Sequence, residues 1–359
     1  MRAALISLGS KSSEWTADTM KKYFEVVDSI RLDKIEVHTS GTGLKVLHNK
    51  EPLGEYDCIY TKGSFRYPLM LRSITEAFYD KAYMPIEPRA FTDGRDKWLS
   101  HLVFQKAGIP MPRTFLCPTI SYAKRVLEES NFPVIMKFPA GTQGKGVMFA
   151  ESYAAASSTL DAISRLNQQI IIQDYIDTGG VDIRAIVCGD RVVASMKRIA
   201  THGEKRANLH AGGVGEAFEP DARIKRVAIK TAEAIGAGIC GVDILESAKG
   251  PLVIEVNLSP GLQGITNVTK IDVADKIAKF LAEQTRIFLA NKKGVDTNDI
   301  LNEVGIDHSS KIKSIITNLD MRGERILLPE NITKLTNFSD KHEYVIKFED
   351  GELKIKRYK

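Results

Sequence analysis

Residues 240–257, with the sequence CGVDILESAKGPLVIEVN, decide the fold of this chain. Two apolar runs flank a polar turn in this stretch, which indicates an antiparallel β-hairpin. Glu255 and Asn257 stand two residues apart in the second run, so their side chains share one face of the strand. If the turn comprises residues 248–250, regular antiparallel pairing places Asp243 directly opposite Glu255.

The predicted hairpin concentrates oxygen ligands on one patch. Two carboxylates and an amide oxygen, from Asp243, Glu255 and Asn257, are hard ligands of the kind that Mg²⁺ takes together with substrate phosphates. The alternative is a half-solvated hairpin whose acidic side chains face water. We favour metal ligation because the neighbouring residues Ile254 and Val256 are typical of a buried strand.

A glycine-rich loop lies between two predicted strands, at 134–137 and 147–150. Its glycines allow the backbone to approach a phosphate closely, and the loop matches neither a Walker sequence nor a dinucleotide fingerprint. A flexible hairpin without a ligand is the alternative. The predicted phosphate contacts are Lys137 at the mouth of the loop and Gly141, Gln143, Gly144 and Gly146 within it.

Two further segments carry polar residues suited to a nucleotide. Residues 173–176, QDYI, end a predicted strand and offer backbone groups to an adenine edge, and Asp182 and Arg184 share a face of the next strand. The loop at 205–215 is rich in glycine and basic residues, so it could close over a nucleotide and bind phosphoryl or carboxylate oxygens. The alternatives are a surface ion pair for Arg184 and a basic loop without a role.

The composition of the 359 residues excludes several classes of protein. Hydrophobic residues make up 43% and charged residues 26%, a balance typical of a globular chain of two to three domains. No apolar run approaches the roughly 20 residues of a membrane span, so we expect no membrane association. The net charge of +5 is spread along the chain, which argues against direct nucleic-acid binding. The four cysteines form no C-x-x-C pair, so we expect neither disulfides nor a zinc site, and a cytoplasmic location.

Three regions of the chain differ in their pattern of predicted strands, helices and motifs. In residues 1–90, short apolar strands alternate with amphipathic helices, which predicts a Rossmann-like α/β domain with a parallel sheet. Residues 91–290 carry the hairpin and the loops described above, with a smaller lobe at about 113–175. Residues 291–359 predict a small appended domain with no recognisable motif. The elements used below are strands at 5–8, 35–37 and 58–60, helices at 16–27, 69–79, 297–304 and 309–319, and a hairpin around 349–351.

The motifs of residues 93–290 resemble those of the ATP-grasp carboxylate–amine ligases, and among them the RimK-like α-L-glutamate ligases. The resemblance implies an α/β chain with the α+β ATP-grasp fold, in which a Rossmann-like domain precedes a two-lobed ATP-grasp domain. It rests on five stretches in the order of that family, which are GTQGKGV at 141–147, DIR at 182–184, RANLHAGG at 206–213, GVDIL at 241–245 and EVNLSPGLQGI at 255–265.

The resemblance also implies roles for individual residues. Asp243, Glu255 and Asn257 match the magnesium ligands of that family, for two Mg²⁺ ions with Mn²⁺ as an alternative. Asp182 matches a ribose contact, and the family commonly has Glu where Asp174 stands. The resemblance implies phosphate contacts for Lys97 and Lys137 and an adenine hinge formed by Gln173, Asp174, Tyr175 and Ile176. It implies positions near the transferred phosphoryl group and the substrate carboxylates for Arg184, Arg198, Arg206 and Asn208.

The activity implied by the resemblance is ATP-dependent formation of an amide bond. ATP would convert an acceptor carboxylate into an acyl phosphate, and the amine of L-glutamate would then displace phosphate. The acceptor is left open between a ribosomal protein C-terminus and the polyglutamate tail of a deazaflavin or tetrahydromethanopterin cofactor, and we expect a homo-oligomer. The alternatives are a lysine-pathway carrier-protein ligase and a non-catalytic ATP-binding regulatory module. A third alternative is that residues 291–359 are an interaction domain that carries the main function of the chain, with the ligase domain secondary to it.

Overall fold

In the computed structural model of this chain, the described residues are 1–41, 43–63, 66–139, 146–166, 168–200, 213–293, 320–322, 325–328, 333, 336, 338–339, 344–349 and 352–357. The chain divides into two units, residues 1–304 and residues 305–359. The domain boundaries expected near residues 90 and 290 stay predictions. No described helix is both long and apolar enough to cross a membrane.

The first part of the chain forms a parallel sheet and a separate antiparallel sheet. Its elements are β1 (Arg2–Ser7), α1 (Lys11–Met20), β2 (Val26–Arg31), β3 (Ile35–Ser40), β4 (Gly43–His48), β5 (Glu51–Pro52), β6 (Cys58–Thr61) and α2 (Pro68–Phe78). β1 lies between β2 and β6 and pairs in parallel with both, whereas β3, β4 and β5 pair antiparallel. The central strand is almost entirely buried, as a parallel strand covered on both faces must be.

The structure differs from two expectations for this region, in the bounds of one helix and in the pairing of one strand. The helix expected over 16–27 is α1, which begins earlier because Ser10 caps it by accepting a hydrogen bond from the Ser13 amide, and which ends at Met20. The strand expected at 35–37 is confirmed as β3, but it pairs antiparallel with β4 instead of joining the parallel sheet. The helix expected over 69–79 is confirmed as α2.

A four-stranded antiparallel sheet forms a smaller lobe. The elements of this region are α3 (Ala90–Asp93), α4 (Lys97–Lys106), β7 (Thr114–Cys117), α5 (Ile120–Glu128), β8 (Val134–Lys137), β9 (Val147–Ala150), α6 (Tyr153–Ile163) and β10 (Ile170–Asp174). The strands lie in the order β7–β10–β8–β9. Val134 and Met136 are buried in the same core as α5 and α6, whereas Ile135 and Lys137 line a cavity. The period of two along β8 therefore separates the core from the cavity.

A five-stranded antiparallel sheet is the largest layer. Its elements and their neighbours are β11 (Val181–Cys188), β12 (Arg191–Ile199), β13 (Val214–Ala217), α7 (Ala222–Ile235), β14 (Ile239–Ser247), β15 (Gly250–Asn257), α8 (Gln263–Thr269) and α9 (Val273–Lys293). The strand order is β13–β12–β11–β14–β15. Ile183 and Ala185 pack in one core with α7, and Ile186 and Cys188 pack in another core with α9. The sheet is therefore covered on both faces.

The hairpin predicted at residues 240–257 is β14–β15, and Asp243 does pair with Glu255. The reason differs from the prediction, because the turn is one residue shorter than expected. Ser247 lies opposite Gly250, which adopts a φ of +116°. A β-bulge at Ile254 then shifts the register by one residue before Glu255. The short turn and the bulge cancel, so the predicted pairing is restored.

The unit at residues 305–359 contributes two hairpins to the described part of the chain. Its strands are β16 (Asp320–Arg322), β17 (Arg325–Leu327), β18 (Tyr344–Glu349) and β19 (Glu352–Arg357). The hairpin predicted around 349–351 is confirmed, with Glu349 opposite Glu352. The helices predicted at 297–304 and 309–319 lie outside the described residues.

Candidate active site

A cavity of about 690 Å³ opens where the sheets of residues 1–304 meet. Its volume lies within the range of about 300–1,000 Å³ that is usual for small-molecule sites. The cavity brings together predicted site residues that are far apart along the chain. The predicted residues that line it are Lys97, Lys137, Gln173, Asp174, Tyr175, Ile176, Asp182, Arg184, Arg198, Asp243, Glu255 and Asn257.

Two arginines and two aspartates form a buried cluster on the wall built by β11, β12 and β14. Arg184 donates to both carboxylate oxygens of Asp243, at 2.8 and 2.7 Å. Arg198 donates to both oxygens of Asp182 at 2.6 Å and also lies 2.9 Å from Asp243. These pairs are cross-strand neighbours, since Arg184 is opposite Asp243 and Asp182 is opposite Arg198. Arg184 is thus part of an internal network rather than a surface ion pair.

The cluster sets the charge of its two carboxyl groups. Burial alone would raise the pKa of Asp243, but attraction to Arg184 and Arg198 outweighs burial and holds that pKa well below its usual range. Asp182 pairs with Arg198, but burial, with repulsion from Asp243, outweighs that attraction and raises the pKa of Asp182 to about 6. Asp243 is therefore a carboxylate throughout the neutral range, as a metal ligand has to be.

The three residues predicted to bind metal lie together on the hairpin. Asp243 is opposite Glu255, and the amide nitrogen of Asn257 lies 3.4 Å from Asp243 Oδ2. Among the described residues, no cluster of three or more His, Cys, Asp or Glu side chains could hold a metal by itself. Two carboxylates and one amide suit Mg²⁺, which keeps part of its coordination shell for water and phosphates. Both Asp243 oxygens accept from arginines, so Asp243 would bind the ion through its remaining lone pairs.

Lys137 stands on the smaller lobe with its ammonium group held in place. Its Nζ donates to Gln173 Oε1 at 2.6 Å, and Gln173 Nε2 donates to Thr114 Oγ1 at 2.8 Å. The side chain of Gln173 therefore orients Lys137, and the main chain of Gln173 pairs within the sheet between β7 and β8. Burial lowers the pKa of Lys137 to about 8, with Glu255 opposing this shift and Lys97 adding to it. A desolvated cation of this kind suits a phosphate group.

The side chains of the predicted adenine hinge are engaged within the protein. The Asp174 carboxylate pairs with Arg113 at 3.1 Å. The ring of Tyr175 packs edge-on against Phe149, with 5.1 Å between ring centroids. The main chain after β10 is thus the part of the hinge available to an adenine edge. That contact, and the ribose contact of Asp182, stay predictions.

The described part of the chain covers only some of the predicted loop residues. Gly146 has a φ of +78°, and a Cβ atom there would lie 2.9 Å from the Phe138 ring, so this end of the loop requires glycine. Lys97 begins α4, where the Asp96 carboxylate caps the helix. The predicted residues outside the described part are Gly141, Gln143, Gly144, Arg206 and Asn208.

Sequence reasoning missed the wall of the cavity that the first sheet provides. Lys62 directly follows β6, lines the cavity and donates to the carbonyl oxygen of Pro260 at 3.0 Å. A signal was present, because a charged residue at the carboxyl end of a parallel strand lies where α/β sheets bind ligands. Lys62 and Pro260 are far apart in sequence, so no local sequence pattern predicts the contact between them.

Comparisons with known proteins agree with this geometry. A family model described as a RimK-like ATP-grasp domain matches residues 94–281. A probable α-L-glutamate ligase of Vibrio cholerae is 36% identical over 265 residues, which cover 71% of this chain and 85% of that protein. A probable α-L-glutamate ligase of Haemophilus influenzae is 38% identical over 231 residues, which cover 64% of this chain and 76% of that protein.

Solved structures share the architecture. A RimK domain ATP-grasp protein from Sphaerobacter thermophilus has a TM-score of 0.61 at 19% identity, covering 78% of this chain and 99% of the other. The ATP-grasp ligase PsnB, complexed with a minimal precursor, Mg and ADP, has a TM-score of 0.63 at 16% identity, covering 79% of this chain and 97% of the other. At such identities these two structures show a common fold alone.

Proposed function

This chain belongs to the RimK-like ATP-grasp family and is an ATP-dependent ligase that forms an amide bond, and we propose that it joins L-glutamate to the carboxylate of an acceptor. The curated relatives named probable α-L-glutamate ligases support the choice of amino acid. One observation carries the proposal most directly. Arg184 and Arg198 stand beside the oxygen-ligand set of the β14–β15 hairpin, in the same cavity as Lys137.

The proposed reaction has two steps. The acceptor carboxylate forms a bond to the γ-phosphorus of ATP while the bond from that phosphorus to the bridging oxygen of ADP breaks. The amine of glutamate then attacks the carbonyl carbon of the acyl phosphate, loses a proton and expels phosphate. The protein takes no covalent part, so its contribution is alignment and electrostatic stabilisation.

The roles we assign follow from charge and position. Lys97 and Lys137 bind the nucleotide phosphates, and Arg184 and Arg198 face the phosphoryl group in transfer and the oxyanion of the tetrahedral intermediate. Asp182 positions Arg198 through its bidentate contact. Asp243, Glu255 and Asn257 would hold Mg²⁺, proposed as two ions, which supplies neutralisation of phosphate charge.

The identity of the acceptor is the open part of the proposal. A protein C-terminus and the polyglutamate tail of a cofactor both present the carboxylate that this chemistry needs. We propose a cytoplasmic location, because the four cysteines are buried free thiols typical of a reducing compartment. The homo-oligomer expected from the sequence stays a prediction. A regulatory module that only binds ATP could lose the hairpin ligands and the arginines beside them, and this chain has both.

Mass spectrometry of candidate acceptors incubated with ATP, Mg²⁺ and L-glutamate tests the proposal. Wild-type protein should release ADP and yield products heavier by whole glutamyl residues. Glu255→Gln and Asn257→Ala should still bind ATP but form no product. Glu246→Gln is the matched control, because Glu246 is exposed on the same hairpin and outside the cavity. Wild-type protein that binds ATP yet releases no ADP with any acceptor would contradict the proposal and favour a regulatory module.

A further inference from the structure

One part of the cavity lies at the carboxyl ends of β1 and β6 and takes no part in the phosphoryl transfer described above. The chain leaves β1 for β2 on one side and returns to β6 on the other, so the strand order reverses at this point. In open α/β sheets, ligands bind in the crevice at such a switch point. The switch-point crevice is lined by Leu8, Ser10, Ser12 and Ser13 after β1 and by Lys62 and Gly63 after β6.

Lys62 is a buried cation in this crevice. Its residue is 5% exposed, and its ammonium group donates to the carbonyl oxygen of Pro260. No ion pair among the described residues includes Lys62, and burial lowers its pKa to about 8. Lys137 differs, since the carboxylate of Glu255 lies near enough to favour its charged form. Burying an ammonium group without a carboxylate is unfavourable, so Lys62 indicates an anionic ligand.

The switch-point crevice is joined directly to the loop that follows the metal-ligand strand. The Gly63 amide donates to Ser259 Oγ at 3.0 Å, and the Leu262 amide donates to Ser12 Oγ at 2.9 Å. The Lys62 ammonium contacts Pro260 of the same loop. This loop begins one residue after Asn257, so an anion held by Lys62 lies next to the site of phosphoryl transfer.

We infer that the switch-point crevice binds a carboxylate of the incoming amino acid that takes no part in the reaction, with Lys62 as its counter-ion. The inference rests on the proposed function and adds to it the residue that selects the amine substrate. Glutamate has two non-reacting carboxylates and one reacting amine, whereas the acceptor brings its reacting carboxylate to Arg184 and Arg198. A single ammonium beside the loop after β15 matches one carboxylate and leaves the amine directed at the acyl phosphate.

Steady-state kinetics of Lys62→Met, Lys62→Arg and wild type tests the inference. Removing one partner of a buried charge pair weakens binding strongly, so the KM for glutamate should rise about 30-fold or more in Lys62→Met while the KM for ATP stays unchanged. Lys62→Arg keeps the charge and should recover most of the loss. Lys45→Met is the matched control, because Lys45 is exposed on β4 and outside the cavity.

Amide analogues identify the carboxylate, and their comparison in wild type does not depend on any variant folding. Wild type should discriminate against either L-glutamine or L-isoglutamine, whichever lacks the bound carboxylate, and Lys62→Met should not discriminate against that same analogue. If wild type and Lys62→Met transfer glutamate with the same KM for glutamate, the assignment of the crevice is overturned and the proposed function is not. A rise in the KM for the acceptor only, with that for glutamate unchanged, also overturns it. Wild type that binds ATP but neither binds radiolabelled glutamate nor transfers it overturns both the proposed function and the inference.

Discussion

Replacing Lys62 by methionine should stabilise the fold at neutral pH, although it removes a charge from the cavity. The pKa of Lys62 falls from 10.5 to about 8 in the folded protein because the side chain is buried. A shift of about 2.5 units corresponds to about 3 kcal/mol of unfavourable burial of the charged form. Methionine has a similar length and no charge, but it gives up the hydrogen bond to Pro260, which is worth about 1 kcal/mol. We therefore expect Lys62→Met to raise the free energy of unfolding by about 2 kcal/mol.

The sign of this effect should change with pH. Between about pH 8 and 10.5 the unfolded chain holds a proton on Lys62 that the folded chain has lost, so the stability of wild type rises with pH across this window. The advantage of Lys62→Met is complete below about pH 8 and disappears as pH approaches 10.5. Above that window the neutral amine still donates to Pro260, and the variant becomes about 1 kcal/mol less stable than wild type.

Urea unfolding of wild type, Lys62→Met and Lys45→Met at several pH values across this window measures the effect. Lys45 is exposed, so its variant should match wild type at every pH. A difference between Lys62→Met and wild type that does not vary with pH would refute the reasoning. So would a Lys62→Met protein that is less stable than wild type at neutral pH.

Three further predictions concern the rest of the cavity. Arg198→Met leaves the buried carboxylates of Asp182 and Asp243 without one of their cationic partners, so urea unfolding should show a free energy of unfolding lower by about 3–5 kcal/mol. The loss should be smaller when Asp182→Asn is added, and a loss near zero would contradict the network. Gly146→Ala places a Cβ atom against the Phe138 ring at a backbone φ of +78°, which is strained for alanine, so calorimetry should show weaker ATP binding. An unchanged affinity for ATP would contradict this prediction. Deleting residues 305–359 should leave kcat with a small acceptor unchanged in the ADP-release assay, because every described residue that lines the cavity precedes residue 264. A large decrease in kcat would contradict this prediction.

Local sequence patterns predicted the elements of the site well. The alternation of Glu255, Val256 and Asn257 gave the strand and the shared face, because the side-chain period of a strand is fixed by its backbone. The pairing of Asp243 with Glu255 was predicted from a turn that is one residue too long. The bulge at Ile254 that compensates has no sequence signature, since Ile254 does not adopt a positive φ and no glycine marks the position.

The contacts between distant segments could not be predicted in the same way. Arg184 lies opposite Asp243 because of the register between β11 and β14, and nothing near either residue fixes that register. Lys62 reaches Pro260 only because the first sheet packs against the loop after β15. Such contacts depend on how separate layers meet, which neither residue spacing nor helix and strand propensity determines.

A crystal structure of the protein with Mn²⁺ and ADP, with the ion located by its anomalous signal, tests the central claim most directly. We predict an ion bound by side-chain oxygens of Asp243, Glu255 and Asn257 and by a phosphate of the nucleotide, at distances near the roughly 2.1 Å that Mg²⁺ takes to oxygen. An ion bound elsewhere, or a diphosphate from which all three side chains point away, would contradict the account.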